Sequence, residues 1–183
     1  MTDLLSLPTF APGTNVHVVV ETPRHAQAKF KHDRKLRAFT PSRALTLGLT
    51  YPYDWGFVPS TAAADGDPID AVVLHNVTTS PGMVLRCKPL GILDVPQTEK
   101  QRTERNDRLM LVPLKSTFQP GIRAVHDLSA SLRHQAEEFF VAATAGTGKT
   151  LKFLGWRGPR AAMAAIRRAQ KAFQRRTQSE PRR

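Results

Sequence analysis

The chain of 183 residues contains a single cysteine, Cys87, which excludes an intrachain disulfide framework. Cys87 sits in an apparent strand and is expected to be a buried thiol. Acidic residues are scarce: 15 Asp and Glu face 27 Lys and Arg, for a net charge of +12. Aromatic residues make up only 7%, and no helix-turn-helix, RNA-recognition or zinc-finger pattern is present. Long apolar runs are missing too. Stretches such as that around residues 71–74 fall far short of the roughly 18 apolar residues of a spanning helix. The start, MTDLLSLPTF, has neither the basic region nor the apolar core of a signal peptide. What remains is an ordinary globular mix, 40% hydrophobic and 23% charged, long enough to bury a core. The expectation is one cytoplasmic domain over residues 1–176, with a basic polar tail over 177–183 that frays and no membrane partner.

The apolar patterning predicts many short strands followed by helices. Residues 16–21 (VHVVVE) are β-branched and bounded by turn signals, so they predict a strand. Further strands are expected over 28–32, 44–50, 71–74, 84–89, 91–95 and 109–112, and again over 151–154. Residues 51–59 predict a loop or irregular strand, and the wholly polar stretch 96–108 an exposed loop. Asp127 is placed to cap a helix over 128–143, with Leu132, Ala136, Phe139, Phe140 and Ala143 on one face. Pro159 suits the first turn of a last helix running to about residue 176, with Ala162, Ala165, Ile166, Ala169 and Phe173 as its apolar stripe. Strands first and helices late describe an α+β fold around a barrel.

A strongly basic chain favours polyanions, and the distribution of charge matters more than the sum. Seven Arg and Lys between Arg167 and Arg183 face only Glu180. They read as a solvated basic helix face and tail, with nucleic-acid contact as the alternative reading. The cluster from Lys29 to Arg37 follows a strand and lies inside the domain.

The most informative segment is Asp65-Gly66-Asp67-Pro68-Ile69-Asp70. Three carboxylates in six residues repel one another unless a cation compensates them, and oxygen ligands suit Mg²⁺ or Mn²⁺ rather than zinc. Gly66 permits a tight bend, and Pro68 fixes its φ. The spacing is not that of an EF-hand. Upstream stand Glu21, Lys29, Arg43 and the block Tyr51-Pro52-Tyr53-Asp54-Trp55-Gly56. Downstream follows Arg86-Cys87-Lys88-Pro89-Leu90-Gly91. In this order and spacing the blocks closely resemble the soluble family I inorganic pyrophosphatases over roughly residues 16–156. The family pattern has a Glu ending a strand, a Lys, an Arg, Y-P-x-N-Y-G, D-x-D-P-x-D and R-x-x-G.

The resemblance implies a five-stranded OB-like β-barrel with flanking C-terminal helices, and Mg²⁺-dependent hydrolysis of pyrophosphate to two phosphates, with Mn²⁺ as a possible substitute. Asp65, Asp67 and Asp70 would hold the metal, with Glu21 as a further carboxylate. Asp67 would also be the catalytic group that takes the water's proton. Lys29, Arg43, Trp55 and Lys149 would bind the substrate, the arginine as a fork and the lysines as point charges. Bacterial members form hexamers, so the resemblance also implies a homo-oligomer.

Several positions depart from the family pattern. Lys31 stands where a Glu is usual, Trp55 replaces a Tyr whose hydroxyl contacts phosphate, and Asp54 replaces an Asn. Indole donates one hydrogen bond and accepts none. In the segment 96–108, which is about four residues longer than usual, the two expected metal-binding Asp positions fall on Gln97 and Asn106. Arg108 replaces a Lys. Glu99, Glu104 or Asp107 must then supply the missing carboxylate, and Asp107, beside Asn106, is the candidate. After Phe139-Phe140 the chain reads VAATAG, without the family's Tyr-Lys pair. These departures and the +12 charge frame an alternative: a pyrophosphatase-fold protein with weakened catalysis that binds a phosphorylated ligand or polyanion. The P-loop-like stretch 143–150 is a decoy, because a helix precedes it and a strand follows. None of the six histidines falls in a metal-binding pattern.

Overall fold

A computed structural model describes residues 3–179. Its centre is a sheet of β1 (Val16–Thr22), β4 (Asp54–Phe57), β5 (Asp70–Val73), β9 (Arg108–Pro113) and β6 (Val84–Asp94). These pair in the order β1-β4-β5-β9-β6, and β1 pairs back onto β6, so the five strands close into a barrel. The β5–β9 pair is parallel and the other pairs are antiparallel. A short strand, β11 (Gly155–Arg157), extends the sheet from β6. Two small sheets flank it: the hairpin of β2 (Ala28–Asp33) with β3 (Ala38–Ala44), and the triple of β10 (Lys149–Leu151), β7 (Pro96–Glu99) and β8 (Arg102–Arg105).

Alternation along the strands builds two cores. Val72, Leu74, Met110 and Val112 point to a core shared with α1 (Ala130–Ala143). Their neighbours Ala71, Val73, Leu109 and Leu111 point to a second core under α2 (Pro159–Ser179). Both faces are covered, which is why β5 and β9 read as unbroken apolar runs rather than as alternating ones. Most of the stripes expected on the helices are buried, with Leu132 and Phe173 half-buried. Ala136, Phe139, Phe140 and Ala143 of α1 are buried, as are Ala162, Ala165, Ile166 and Ala169 of α2.

The structure corrects several local expectations. The third strand is Ala38–Ala44, not 44–50. Its Pro41 argues against a strand in sequence, but a two-stranded sheet has free edges that tolerate proline. Residues 54–57, within the stretch expected as loop or irregular strand, form the fully buried β4. There a Cβ on Gly56 would lie 2.0 Å from the Val19 carbonyl oxygen, so only glycine lets β1 and β4 approach. The two strands expected over 84–89 and 91–95 are one, β6, with an irregularity between Pro89 and Gly91. The expected loop 96–108 contains the hairpin β7–β8. Residues 151–154 are not a strand: β10 ends at Leu151 and β11 starts at Gly155. Ser129, not Asp127, caps α1 by accepting from the Leu132 amide at 3.1 Å. Asp127 instead accepts from the Arg123 and Ala124 amides, both at 2.8 Å. Helix α2 continues to Ser179, so the first residues of the expected tail are helical. The rest of that tail, residues 180–183, lies outside the described residues.

Candidate active site

Strand register gathers the charged residues at one end of the barrel. In the β2–β3 hairpin Lys29 pairs with Arg43. In the parallel β5–β9 pair Ala71 pairs with Leu109, so the preceding residues, Asp70 and Arg108, start their strands side by side. In the flanking triple Lys149 pairs with Glu99, and Leu151 with Gln97. The acidic turn closes through hydrogen bonds from the Gly66 amide to the Ala63 carbonyl at 3.1 Å and from the Ala63 amide to the Asp67 carbonyl at 2.8 Å. Its Gly66 takes a φ of 90°, as the sequence led us to expect.

Two adjoining cavities form the cleft. One, of about 340 Å³, has Lys29, Arg43, Tyr51, Trp55, Arg108 and Lys149 in its wall. The other, of about 160 Å³, has Glu21, Asp65, Asp67 and Asp70 with Lys31 and Arg34. Lys29, Lys31, Asp70, Gln97, Asn106 and Lys149 belong to both walls, so the space is continuous. A larger cavity of about 650 Å³, lined by Leu4, Leu5, Phe173, Arg34 and Arg37 among others, holds none of the clustered carboxylates. The chemistry lies in the two smaller spaces.

The carboxylates already have partners. Lys31 Nζ donates to Asp67 Oδ2 at 3.1 Å. With the side chains 51% and 59% exposed, this pair is screened by water and contributes less than about 1 kcal/mol. Arg108 Nη1 donates to Asp70 Oδ2 at 2.6 Å, and here the side chains are only 6% and 22% exposed. Glu21 Oε1 accepts from the His32 amide at 3.0 Å, and Asp65 Oδ1 from the Asp67 amide at 3.1 Å. Desolvation holds the Glu21 carboxyl above the ordinary carboxylate range. Burial likewise pulls the Lys29 ammonium below the ordinary lysine range, with the charge of Asp70 opposing it. For Lys31, partial desolvation is outweighed by the hydrogen bond and charge of Asp67, and its ammonium ends above that range.

Arg43 reaches across to α1, where Nη2 donates to the carbonyl of Ala143, the helix's last residue. A guanidinium at a helix C-terminus meets the negative end of the dipole. Lys149 Nζ lies 3.3 Å from Glu99 Oε2. Lys29 makes no hydrogen bond or ion pair among the described residues; its ammonium stands 5.3 Å from the centre of the Trp55 ring. Arg108 stands 4.9 Å from the same ring.

Of the residues expected here, Glu21, Lys29, Arg43, Trp55, Asp65, Asp67, Asp70 and Lys149 all line the cleft. Asp107 does not. Its Oδ1 accepts from the Val95 amide at 2.9 Å, and Arg105 chelates its carboxylate at 3.0 and 2.9 Å. The β7–β8 hairpin carries it out of the cleft and brings Asn106 in. Trp55 is present in a different capacity from the one expected. Its Nε1 is buried without a partner among the described residues, so the ring face rather than the indole N–H meets the cations. The Asp70–Arg108 pair was not legible in the sequence, because a parallel register leaves no local pattern. The reversed charge at Lys31 was the one available signal for the Asp67 contact.

Hard carboxylate oxygens are suitable donors for a divalent cation. Here, however, Asp67 and Asp70 are held by Lys31 and Arg108, and the neighbouring amides are also engaged. Gln97 Oε1 accepts from Asn106 Nδ2 at 3.2 Å, and Asn106 Oδ1 accepts from Arg108. Among the described residues no three His, Cys, Asp or Glu side chains converge to hold a metal ion. As arranged, the residues do not fit a divalent ion.

Comparison with known proteins bears on the family and the fold. The family described as "Inorganic pyrophosphatase" matches residues 18–174. An inorganic pyrophosphatase of Synechocystis sp. is 28% identical over 171 residues, which is 93% of this chain and 99% of the relative. One of Thermus thermophilus is 33% identical over 171 residues, 91% of this chain and 95% of the relative. The crystal structure of the inorganic pyrophosphatase from Thermus thermophilus superimposes with a TM-score of 0.86 at 29% identity, covering 94% of this chain and 99% of that one. Match, coverage and barrel together show that the chain belongs to the family I inorganic pyrophosphatases.

Proposed function

We propose that this cleft binds pyrophosphate and hydrolyses it to two phosphates. The observation that carries the reading is the convergence of Lys29, Arg43 and Lys149 on one cavity that opens onto Asp67 and Asp70. The cations neutralise the phosphate oxygens and stabilise the leaving phosphate. A water attacks one phosphorus, the bridging P–O bond breaks, and Asp67 takes the water's proton and returns it to the departing phosphate. Asp67 has to give up its hydrogen bond to Lys31 before it can accept the water's proton, so turnover is expected to be slow.

Membership of this family brings a divalent metal to the reaction, and we propose Mg²⁺, with Mn²⁺ as a substitute. Either ion has to take Asp67 from Lys31 and Asp70 from Arg108. Phosphate release from pyrophosphate across a Mg²⁺ titration tests the reading. Asp67→Asn is expected to lower release by about 10²- to 10⁴-fold with an unchanged circular dichroism spectrum. Release by the variant equal to that of the parent removes Asp67 as the base, and no release by the parent removes the reaction.

The two pairs, Lys31–Asp67 and Arg108–Asp70, favour a second reading: a cleft that retains a phosphorylated ligand with little turnover. Tight binding without phosphate release would select it. No helix among the described residues is long and apolar enough to cross a membrane. We place the protein in the cytoplasm, where the buried free thiol of Cys87 stays reduced. We also propose a homo-oligomer, a hexamer by resemblance, which light scattering after gel filtration measures directly.

A further inference from the structure

We propose that Lys31 and Arg108 act as resident cations of this cleft, and that the cleft binds the pyrophosphate anion without a divalent ion. The proposal rests on the reading of the cleft as a phosphoanhydride site.

An acidic cluster recruits a metal ion when its charge is left uncompensated. Two of this cluster's four carboxylates are compensated from within the chain. Lys31 Nζ is 3.1 Å from Asp67, and Arg108 Nη1 is 2.6 Å from Asp70. Across the two cavity walls, six cations (Lys29, Lys31, Arg34, Arg43, Arg108, Lys149) face four carboxylates (Glu21, Asp65, Asp67, Asp70), with Glu99 beside Lys149 as a fifth. The balance is positive, so it repels a free divalent ion and attracts an anion. Gln97 and Asn106 add no charge, and their amide oxygens already accept hydrogen bonds.

Two donors also await an acceptor. Lys29 makes no hydrogen bond or ion pair among the described residues and stands beside the Trp55 ring, and Arg108, 5% exposed, has a buried Nε without a partner among the described residues. Both residues belong to the wall of the 340 Å³ cavity. Ammonium and guanidinium both lie against the Trp55 ring, 5.3 and 4.9 Å from its centre, beside the same cavity. An anion with several oxygens satisfies donors of this kind, whereas a metal ion would leave them unmatched.

The test is titration calorimetry of the full chain with sodium pyrophosphate, once in EDTA and once in Mg²⁺, with Lys31→Glu as the variant. Lys31 is half exposed, so the variant is expected to fold. The parent should bind pyrophosphate in EDTA within about threefold of its affinity in Mg²⁺, and Lys31→Glu should weaken the EDTA binding by about tenfold or more. The variant should also give a heat with Mg²⁺ alone that the parent lacks. Binding by the parent that appears only with Mg²⁺ overturns the proposal and leaves the proposed hydrolysis standing. Undiminished EDTA binding by Lys31→Glu overturns the role of Lys31. Absence of binding under both conditions overturns the phosphoanhydride reading itself, and this proposal with it.

Discussion

Tyr51 lies at the edge of the cleft, 3% exposed and packed edge-on against Phe139 at 5.1 Å. Burial pushes its phenol from the ordinary 10.0 up to about 12. Below pH 10 both folded and unfolded chains keep this proton, and stability does not depend on it. Between roughly pH 10 and 12 the unfolded chain releases the proton and the folded chain retains it, so stability falls as pH rises, by up to about 2–3 kcal/mol. Tyr51→Phe should flatten that part of a urea-denaturation series against pH; an unchanged slope would assign the loss to other groups. Asp54 shows how a residue that looks like a departure can be structural. Its buried carboxylate accepts from the Arg24 amide at 2.7 Å, His75 Nε2 at 2.6 Å and Thr79 Oγ1 at 2.7 Å. His75 is therefore the Nε2–H tautomer, and its Nδ1 accepts from the Val77 amide at 3.3 Å. Asp54 anchors the strand that carries Trp55; it does not face the cleft. Trp55, Lys29 and Asp67 were recognisable from their order along the chain, but the partners that define their states come from strands remote in sequence.

At the scale of the element, the β7–β8 hairpin decides which residue of 96–108 reaches the cleft. It turns through Lys100 and Gln101, with φ of 47° and 67°. Both lie in the left-handed region that two-residue hairpin turns require and that Asn-Gly normally supplies. A Lys-Gln turn carries no such signal, which is why this stretch resembles an open loop. Gln101→Gly relieves a side chain held in that conformation and should stabilise the fold by about 1 kcal/mol, read as a rise in melting temperature. A fall would mean that Gln101 makes contacts that outweigh the strain. The same turn chemistry places Asn106 toward Asp70 and Asp107 toward Arg105, so the hairpin removes a carboxylate from the candidate metal site.

At the scale of the whole molecule, stability rests on two cores divided by one barrel. Ile166 of α2 is fully buried in the second core, away from the cleft. Ile166→Ala should cost about 2–5 kcal/mol in chemical denaturation and leave pyrophosphate binding at low denaturant unchanged. Weakened binding in the still-folded variant would show that the two cores are coupled. The strand-rich α+β barrel, the two helix stripes and the family were legible along the chain, because apolar periodicity and the D-x-D-P-x-D block are local patterns. The sequence also placed the cleft's acids and bases in order along the chain. How those charges pair emerged with the folded barrel. Asp70 meets Arg108 through a parallel register, Asp67 meets Lys31 from another sheet, and Trp55 turns its ring toward two cations. Such pairings depend on strand register and on a closed barrel, and neither leaves a trace in the spacing of residues along one strand.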